Sequence, residues 1–256
     1  MNRKEPLVDN RSDRTGAFLK VLLGILVTMI LAGCVEPNPG LKFAAKETPE
    51  LGVPTTIETS QGLEGLDLRT TESLRRYGPI IQKYAHSYQL DWRLVLAVIK
   101  QESSFRPRVV SHRGAYGLMQ IMPVTARELT QKIGVKNAKS PYNNIKAGIF
   151  HLKSLYRYFD DSQGDERIKI SLAAYNAGLN RIKDAQDIAQ FMGDDPNTWK
   201  GIKDALPMLT KRYRTLHARV WESGSPRSGY FRDTKQTTQY VENIMEYYDG
   251  YQLALR

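Results

Sequence analysis

Val95, Val98, Ile99 and Glu102 fall at i, i+3, i+4 and i+7, the spacing that lines one face of a helix. Three of the four are aliphatic, so the face they share is one a helix would bury. A carboxylate on such a face is costly unless it is paired, and burial raises its pKa by disfavouring the charged form. A carboxyl group that keeps its proton near neutral pH can donate it, which is the work of a general acid. Two readings of Glu102 stand at this point. It is a buried acid poised for proton transfer, or it lies at the rim of the stripe near the helix end and is solvated.

Two further segments carry residue types suited to chemistry. Ser111 follows nine positions after Glu102, and then comes Gly114-Ala-Tyr-Gly-Leu-Met-Gln-Ile-Met-Pro123. Glycine allows close backbone approach, methionine gives an adaptable apolar surface, and glutamine both donates and accepts hydrogen bonds. Such a mixture suits a sugar, with its apolar ring faces and polar edges. It equally suits a Gly-rich turn leading into a helix at Pro123, with methionine in the core. Ala174-Tyr175-Asn176-Ala177-Gly178 ends another helical pattern. Its tyrosine can hydrogen-bond a carboxyl group or a substrate, or simply fill the core beside an Asn near the helix end.

The elements that must hold these residues are helices. From Thr70 onward, Tyr77, Ile80, Ile81, Tyr84 and Tyr88 mark one amphipathic face. Asp91 is an N-cap candidate for the Glu102 helix, which Pro107 closes off. Pro123 suits the first turn of a helix through about Lys132, and Asn144 can cap the next, which carries Ile145, Ile149, Leu152 and Phe159 on its face. Arg167 to Ala177 reads as helix, with Gly178 as its stop. Helices also fit about 181–191, 197–212 and 236–250. Convincing alternating strands are absent. The expectation is a mostly α domain of about seven helices over residues 70–256.

The 256 residues leave room for one substantial domain with appendages. A net charge of +10 suits an anionic partner such as a membrane surface, nucleic acid or an acidic polymer, and equally a basic protein with scattered Lys and Arg. No run of five basic residues and no basic stretch interleaved with aromatics occurs, so no nucleic-acid partner is expected. His86, His112, His151 and His217 are scattered without metal-ligand spacing, and no phosphate-binding Gly-rich loop is present. No metal and no cofactor are expected.

The first 33 residues read as an export signal. Arg3, Lys4, Arg11, Arg14 and Lys20 precede the apolar run Val21–Leu31, which is shorter than the roughly 20 residues of a comfortable membrane span. The alternative is an uncleaved anchor helix. Leu31-Ala32-Gly33-Cys34 resembles the bacterial lipoprotein processing box, which implies cleavage before Cys34 and acylation of its thiol; Cys34 is also the lone cysteine. Val35, where an Asp would redirect sorting, implies the outer membrane facing the periplasm. Residues 34–69, with Pro37, Pro39, Pro49 and Pro54 among glycines and threonines, read as a lipidated cysteine and a flexible tether.

Taken together, Glu102-Ser103-Ser104-Phe105 with Pro107, Gly117-Leu118-Met119-Gln120-Ile121-Met122-Pro123 and Ala174-Tyr175-Asn176-Ala177-Gly178 resemble the catalytic domain of lytic transglycosylase family 1. The likeness covers roughly residues 77–180. It implies a goose-type lysozyme-like helical fold with a substrate cleft. The later segments Asp195–Trp199 and Tyr240–Ile244 resemble the membrane-bound lytic transglycosylase F branch, whose members usually carry a solute-binding-like domain that this chain is expected to lack.

The resemblance implies cleavage of the β-1,4 bond between N-acetylmuramic acid and N-acetylglucosamine in peptidoglycan glycan strands, with formation of 1,6-anhydromuramyl ends. Glu102 would act as the single acid and base, and Ser111 would orient it or contact the muramyl lactyl group. Met119, Gln120 and Met122 would line sugar subsites, Tyr175 would hydrogen-bond near Glu102, and Asn176 would support that wall. One departure is Gln236, which stands where family members often carry a Glu. Two alternatives remain: a lysozyme-type muramidase, which needs a second acid, for which Asp160, Asp161, Asp165 and Glu166 are candidates, and a non-catalytic peptidoglycan-binding lipoprotein.

Overall fold

The structure, a computed structural model, describes residues 66–135 and 137–255. The chain divides into two units, Met1–Leu51 and Gly52–Arg256, and every described residue belongs to the second. The expected export signal at 1–33, the acylated Cys34 and nearly all of the tether lie outside the described residues.

Among those residues the structure is built of nine α-helices: α1 (Leu68–Ser87), α2 (Trp92–Ser103), α3 (Pro123–Ile133), α4 (Pro141–Tyr158), α5 (Gly164–Ala177), α6 (Leu179–Met192), α7 (Trp199–Ala205), α8 (Arg214–Val220) and α9 (Thr234–Ala254). Short 3₁₀ turns at Leu206–Leu209 and Lys211–Tyr213 join α7 to α8. Local chemistry sets many of the boundaries. Asp67 and Asp91 cap α1 and α2, accepting from the backbone N–H groups of Thr70 and Arg93 at 3.0 and 2.9 Å. Pro123 and Pro141 open α3 and α4 at positions where a missing N–H costs nothing. Gly178, at φ +97°, breaks the chain between α5 and α6.

Two expectations need correction, and one helix was not foreseen. Asn144 does not cap α4; Ser140 occupies that position, and Asn144 lies inside the first turns, buried, with a different task described below. The stretch 197–212 is not one helix. Pro207 cannot donate an i→i−4 hydrogen bond, and α7 ends at Ala205 in a 3₁₀ turn. Helix α8 has no counterpart in the sequence reading, because its seven residues carry too short an apolar pattern to register.

The core forms around α2 and α5. Leu94 through Ile99 are six consecutive buried residues, and Ile170 through Ala174 are five, so both helices are enclosed on every side rather than on a single stripe. The long helix α9 packs against both of them, most extensively against α2. Two contacts fix α2 and α9 as antiparallel: the start of α2 (Asp91) meets Tyr248 late in α9, and the end of α2 (Glu102) meets Tyr240 early in it. Among the described residues no helix is long and apolar enough to cross a membrane.

Candidate active site

Glu102 is the penultimate residue of α2. The helix stops directly after it because Ser104 and Phe105 both adopt left-handed backbone conformations, at φ 47° and 61°, a sparsely populated choice for side chains other than glycine. Phe105 is buried, which helps hold that turn in place. The carboxyl group therefore sits at the negative end of a helix, where a second negative charge is disfavoured.

The Tyr240 hydroxyl donates to Glu102 Oε1 at 2.6 Å. Burial pushes the Glu102 pKa up from 4.5 to about 7, and the tyrosine hydrogen bond opposes that shift without overcoming it. No cation pairs with Glu102 among the described residues. Burial, reinforced by the Glu102 charge, also pushes the hydroxyls of Tyr240 and Tyr175 well above the ordinary tyrosine range, so both remain neutral donors. The outcome is a carboxyl group that is half protonated near neutrality and can both give and take a proton.

Tyr175 does not bond Glu102. Its hydroxyl donates to the backbone carbonyl of Met119 at 2.8 Å, which ties the end of α5 to the 117–122 segment. It lies close enough to Glu102 to feel its charge, and its ring lies 5.2 Å from that of His151 on α4. Burial holds the His151 imidazole down at about 4, so it is neutral at ordinary pH. Asn176 Oδ1 accepts from Thr237 Oγ1 at 2.9 Å. That bond links α5 to α9 three residues before Tyr240 and so helps fix the register that brings the tyrosine to Glu102.

The 109–121 segment forms a small wall through two isolated antiparallel bridges, Val110 with Tyr116 and Tyr116 with Ile121. Ser111 shapes its turn: the hydroxyl accepts from the Ala115 N–H at 2.9 Å, and no hydrogen bond to Glu102 is present. Gln120, at φ 45°, donates through its amide to the carbonyls of Gly117 and Val109 at 2.8 and 3.2 Å. Its side-chain carbonyl carries no hydrogen bond among the described residues. Met122 is exposed beside it, whereas Met119 is fully buried. The expectation that Met119 lines a sugar subsite is therefore corrected: its side chain packs on Gly148, and only its backbone faces the site.

Sequence reasoning missed two residues here. Tyr240 entered it only as a landmark of the last helix, although it is the group that touches the acid. Asn144 is the other. Its Oδ1 accepts from the Met119 N–H at 2.8 Å, and its Nδ2 donates to the carbonyls of Tyr116 and Ala138 at 2.9 and 3.2 Å. The two nearby glycines are explained by these contacts. A Cβ on Gly117, at φ +85°, would stand 2.7 Å from the Asn144 amide, and one on Gly148 would stand 2.3 Å from Met119 Sδ. Gln236 is exposed in the first turn of α9, one turn before Tyr240 and on the same face. The expected alternative acids lie elsewhere. Asp165 and Glu166 are in the first turn of α5, about 15 Å from Tyr175 at 1.5 Å per residue. Glu166 there accepts from the Trp199 N–H. Asp160 and Asp161 are exposed just beyond α4. Among the described residues no cluster of three His, Cys, Asp or Glu side chains could hold a metal ion.

The chain is similar to known proteins over most of its described residues. Residues 79–198 match the family described as Transglycosylase SLT domain. The membrane-bound lytic murein transglycosylase F of Desulfosudis oleivorans is 40% identical over 177 residues, covering 69% of this chain and 36% of that protein. Its namesake in Shewanella pealeana is 35% identical over 194 residues, covering 75% of this chain and 36% of the relative. The chain thus spans about a third of the length of these relatives. The crystal structure of the 70 kDa soluble lytic transglycosylase of Escherichia coli aligns with a TM-score of 0.48 at 24% identity, over 69% of this chain and 24% of that one. Through its helical domain, the chain belongs to lytic transglycosylase family 1.

Proposed function

We propose that this chain cleaves the β-1,4 bond between N-acetylmuramic acid and N-acetylglucosamine in peptidoglycan, closing a 1,6-anhydro ring on the muramyl residue. Glu102 carries the reading. A glycosidase that uses water commonly needs a second carboxylate to activate it. Glu102 instead has a tyrosine for its neighbour, and no second acid contributes to its raised pKa. An intramolecular nucleophile removes the need for one and gains from proximity.

In this mechanism protonated Glu102 gives its proton to the leaving glycosidic oxygen as the bond to C1 breaks. The resulting carboxylate takes the proton of the muramyl C6 hydroxyl as that oxygen bonds to C1. The proton inventory closes, and Glu102 ends as it began. A pKa of about 7 suits both halves of the cycle, since neither the acid nor the base form is far from the working pH. Tyr240 steadies the carboxylate that exists between the two steps. Gln120 and Met122 face the sugar, while Tyr175, Asn176 and Ser111 hold the walls in place. The lysozyme-like description of the fold follows from the family. Acylation of Cys34 and a tether from there to the start of α1 would hold the domain at the periplasmic face of the outer membrane.

Mass analysis of muropeptides released from purified sacculi tests the chemistry. Anhydromuramyl ends, lighter than reducing ends by one water, are expected. Reducing ends alone would make the enzyme a hydrolase.

A further inference from the structure

Helix α8 and the 3₁₀ turn that leads into it present a basic outer face. Tyr213, Leu216, His217 and Val220 fall at i, i+3, i+4 and i+7 and are buried or half-buried. The exposed positions are Lys211, Arg212, Arg214, Thr215, Ala218 and Arg219, so the face carries four cations and no acid. No acidic residue occurs from Leu206 to Trp221, and none of the four cations forms an ion pair among the described residues. Like charges left unanswered so close together raise a positive potential over that face.

Two apolar side chains stand beside the cations. Phe191 and Met192 end α6 and are 41% and 52% exposed, and the Arg219 guanidinium lies 5.3 Å from the centre of the Phe191 ring. Acids border the face without answering it. Asp187 accepts from the Trp221 indole and pairs with Arg227, Asp194 lies in the field of Lys200, and Glu222 is exposed just past α8. The face is also remote from the catalytic cleft. Helix α6 starts directly after Asn176-Ala177-Gly178, and Phe191 lies about 18 Å along it from Leu179.

We propose that this face docks on an anionic phospholipid surface, with Lys211, Arg212, Arg214 and Arg219 on the headgroup phosphates and Phe191 and Met192 between the headgroups. Clustered cations with exposed apolar neighbours are what such a surface holds. A wall polymer would answer the charges and leave Phe191 and Met192 in water. The inference rests on the reading that places the domain beside a membrane, and it adds a second contact to the acyl anchor. Its consequence is orientation. The end of α6 that adjoins Asn176 then points away from the lipid, and the cleft is held off the bilayer toward the wall.

The experiment places the full-length protein on vesicles of phosphatidylcholine alone and on vesicles containing about 30% phosphatidylglycerol, and follows backbone amide exchange by mass spectrometry. The anchor retains the protein on both, so the comparison reads headgroup charge. Exchange over 189–193 and 211–220 is expected to slow by about tenfold on the anionic vesicles only, and salt at about 0.5 M should restore it. The slowing should vanish in the variant Lys211→Glu, Arg212→Glu, Arg214→Glu, Arg219→Glu and shrink in the milder Arg212→Gln, Arg219→Gln. Equal exchange on the two vesicles, or slowing kept in the reversed variant, would overturn the proposal. Slowing by purified sacculi and by neither vesicle would assign the face to the wall and overturn it as well. If the protein does not stay with neutral vesicles, the anchor reading fails, and retention alone decides on the face: capture by anionic vesicles, lost on charge reversal, supports it, and capture by neither refutes it.

Discussion

Helices α2 and α9 make two carboxylate–tyrosine pairs that run opposite ways in electrostatics. At one end Tyr248 donates to Asp91 at 3.0 Å; at the other Tyr240 donates to Glu102 at 2.6 Å. Asp91 also holds Arg93 at 2.8 Å and accepts from a backbone N–H at a helix N-terminus, and these bonds draw its pKa below the usual value against the effect of partial burial. Glu102 has no cation, sits at a helix C-terminus, and is pushed up to about 7 by burial. The tyrosine is common to both, so it is not what makes an acid. Burial with no cation beside it is what holds the Glu102 carboxyl toward its protonated form. The helix ends lean the same way, since α2 presents its positive end to Asp91 and its negative end to Glu102.

The sharpest break in the comparison removes the acid while keeping its shape. Glu102→Gln is expected to lower kcat at least a thousandfold, the upper part of the range for losing a general acid. Binding to sacculi should persist. Release of anhydromuropeptides at more than a few per cent of the wild-type rate would remove Glu102 from the mechanism.

That expectation was open to a sequence reading, and its limits are instructive. The spacing of Val95, Val98, Ile99 and Glu102 marks a buried face, and three ordered motifs mark the segments that meet there. Motif and period operate over short stretches of chain. The Tyr240 contact joins residues 138 apart, and nothing local distinguishes that tyrosine from the chain's other tyrosines. Met119 and Met122 illustrate the complementary gap. The motif locates the segment, but which methionine faces outward depends on the left-handed turn at Gln120 and on the space left by Gly148. The 197–212 stretch reads as one helix because periodicity ignores the lost donor at Pro207.

The same burial has a thermodynamic signature. Glu102 binds its proton more tightly folded than unfolded, so the folded state is favoured most where the group is protonated in both. Its contribution is greatest below pH 4.5, declines between 4.5 and about 7, and above that leaves the fold lower by about 3 kcal/mol. Glu102→Gln should erase this slope. Urea unfolding at pH 5 and pH 8 checks it: the variant should gain on the wild type at the higher pH, and parallel curves would mean that the carboxyl group is solvated. Asp91 has the reverse sign, since its lowered folded pKa contributes stability that is lost as pH falls through it.

Tyr240→Phe isolates the one feature that the two pairs share. The hydroxyl stabilises the ionised carboxylate, so its removal moves the Glu102 pKa further above about 7. The alkaline limb of the pH–rate profile should shift to higher pH. At its optimum, kcat should fall by about tenfold as the carboxyl group loses a charge-assisted bond of about 1.5 kcal/mol that orients it. An unmoved limb would make Tyr240 mere packing.

Asp91→Asn completes the contrast with the smallest effect. Asparagine can still accept from the Arg93 N–H as an N-cap and from Tyr248, so what goes is the ion pair with Arg93. Both partners are about a quarter exposed, which limits the loss to about 1 kcal/mol or less. The deficit should be present at neutral pH and vanish in acid, where Asp91 is itself protonated. The pH–rate profile should stay where it was, because Asp91 lies three helical turns from Glu102 at the opposite end of α2. A shifted alkaline limb in this variant would mean that the two ends of α2 titrate as one system, and the division between structural and chemical carboxylates would have to be redrawn.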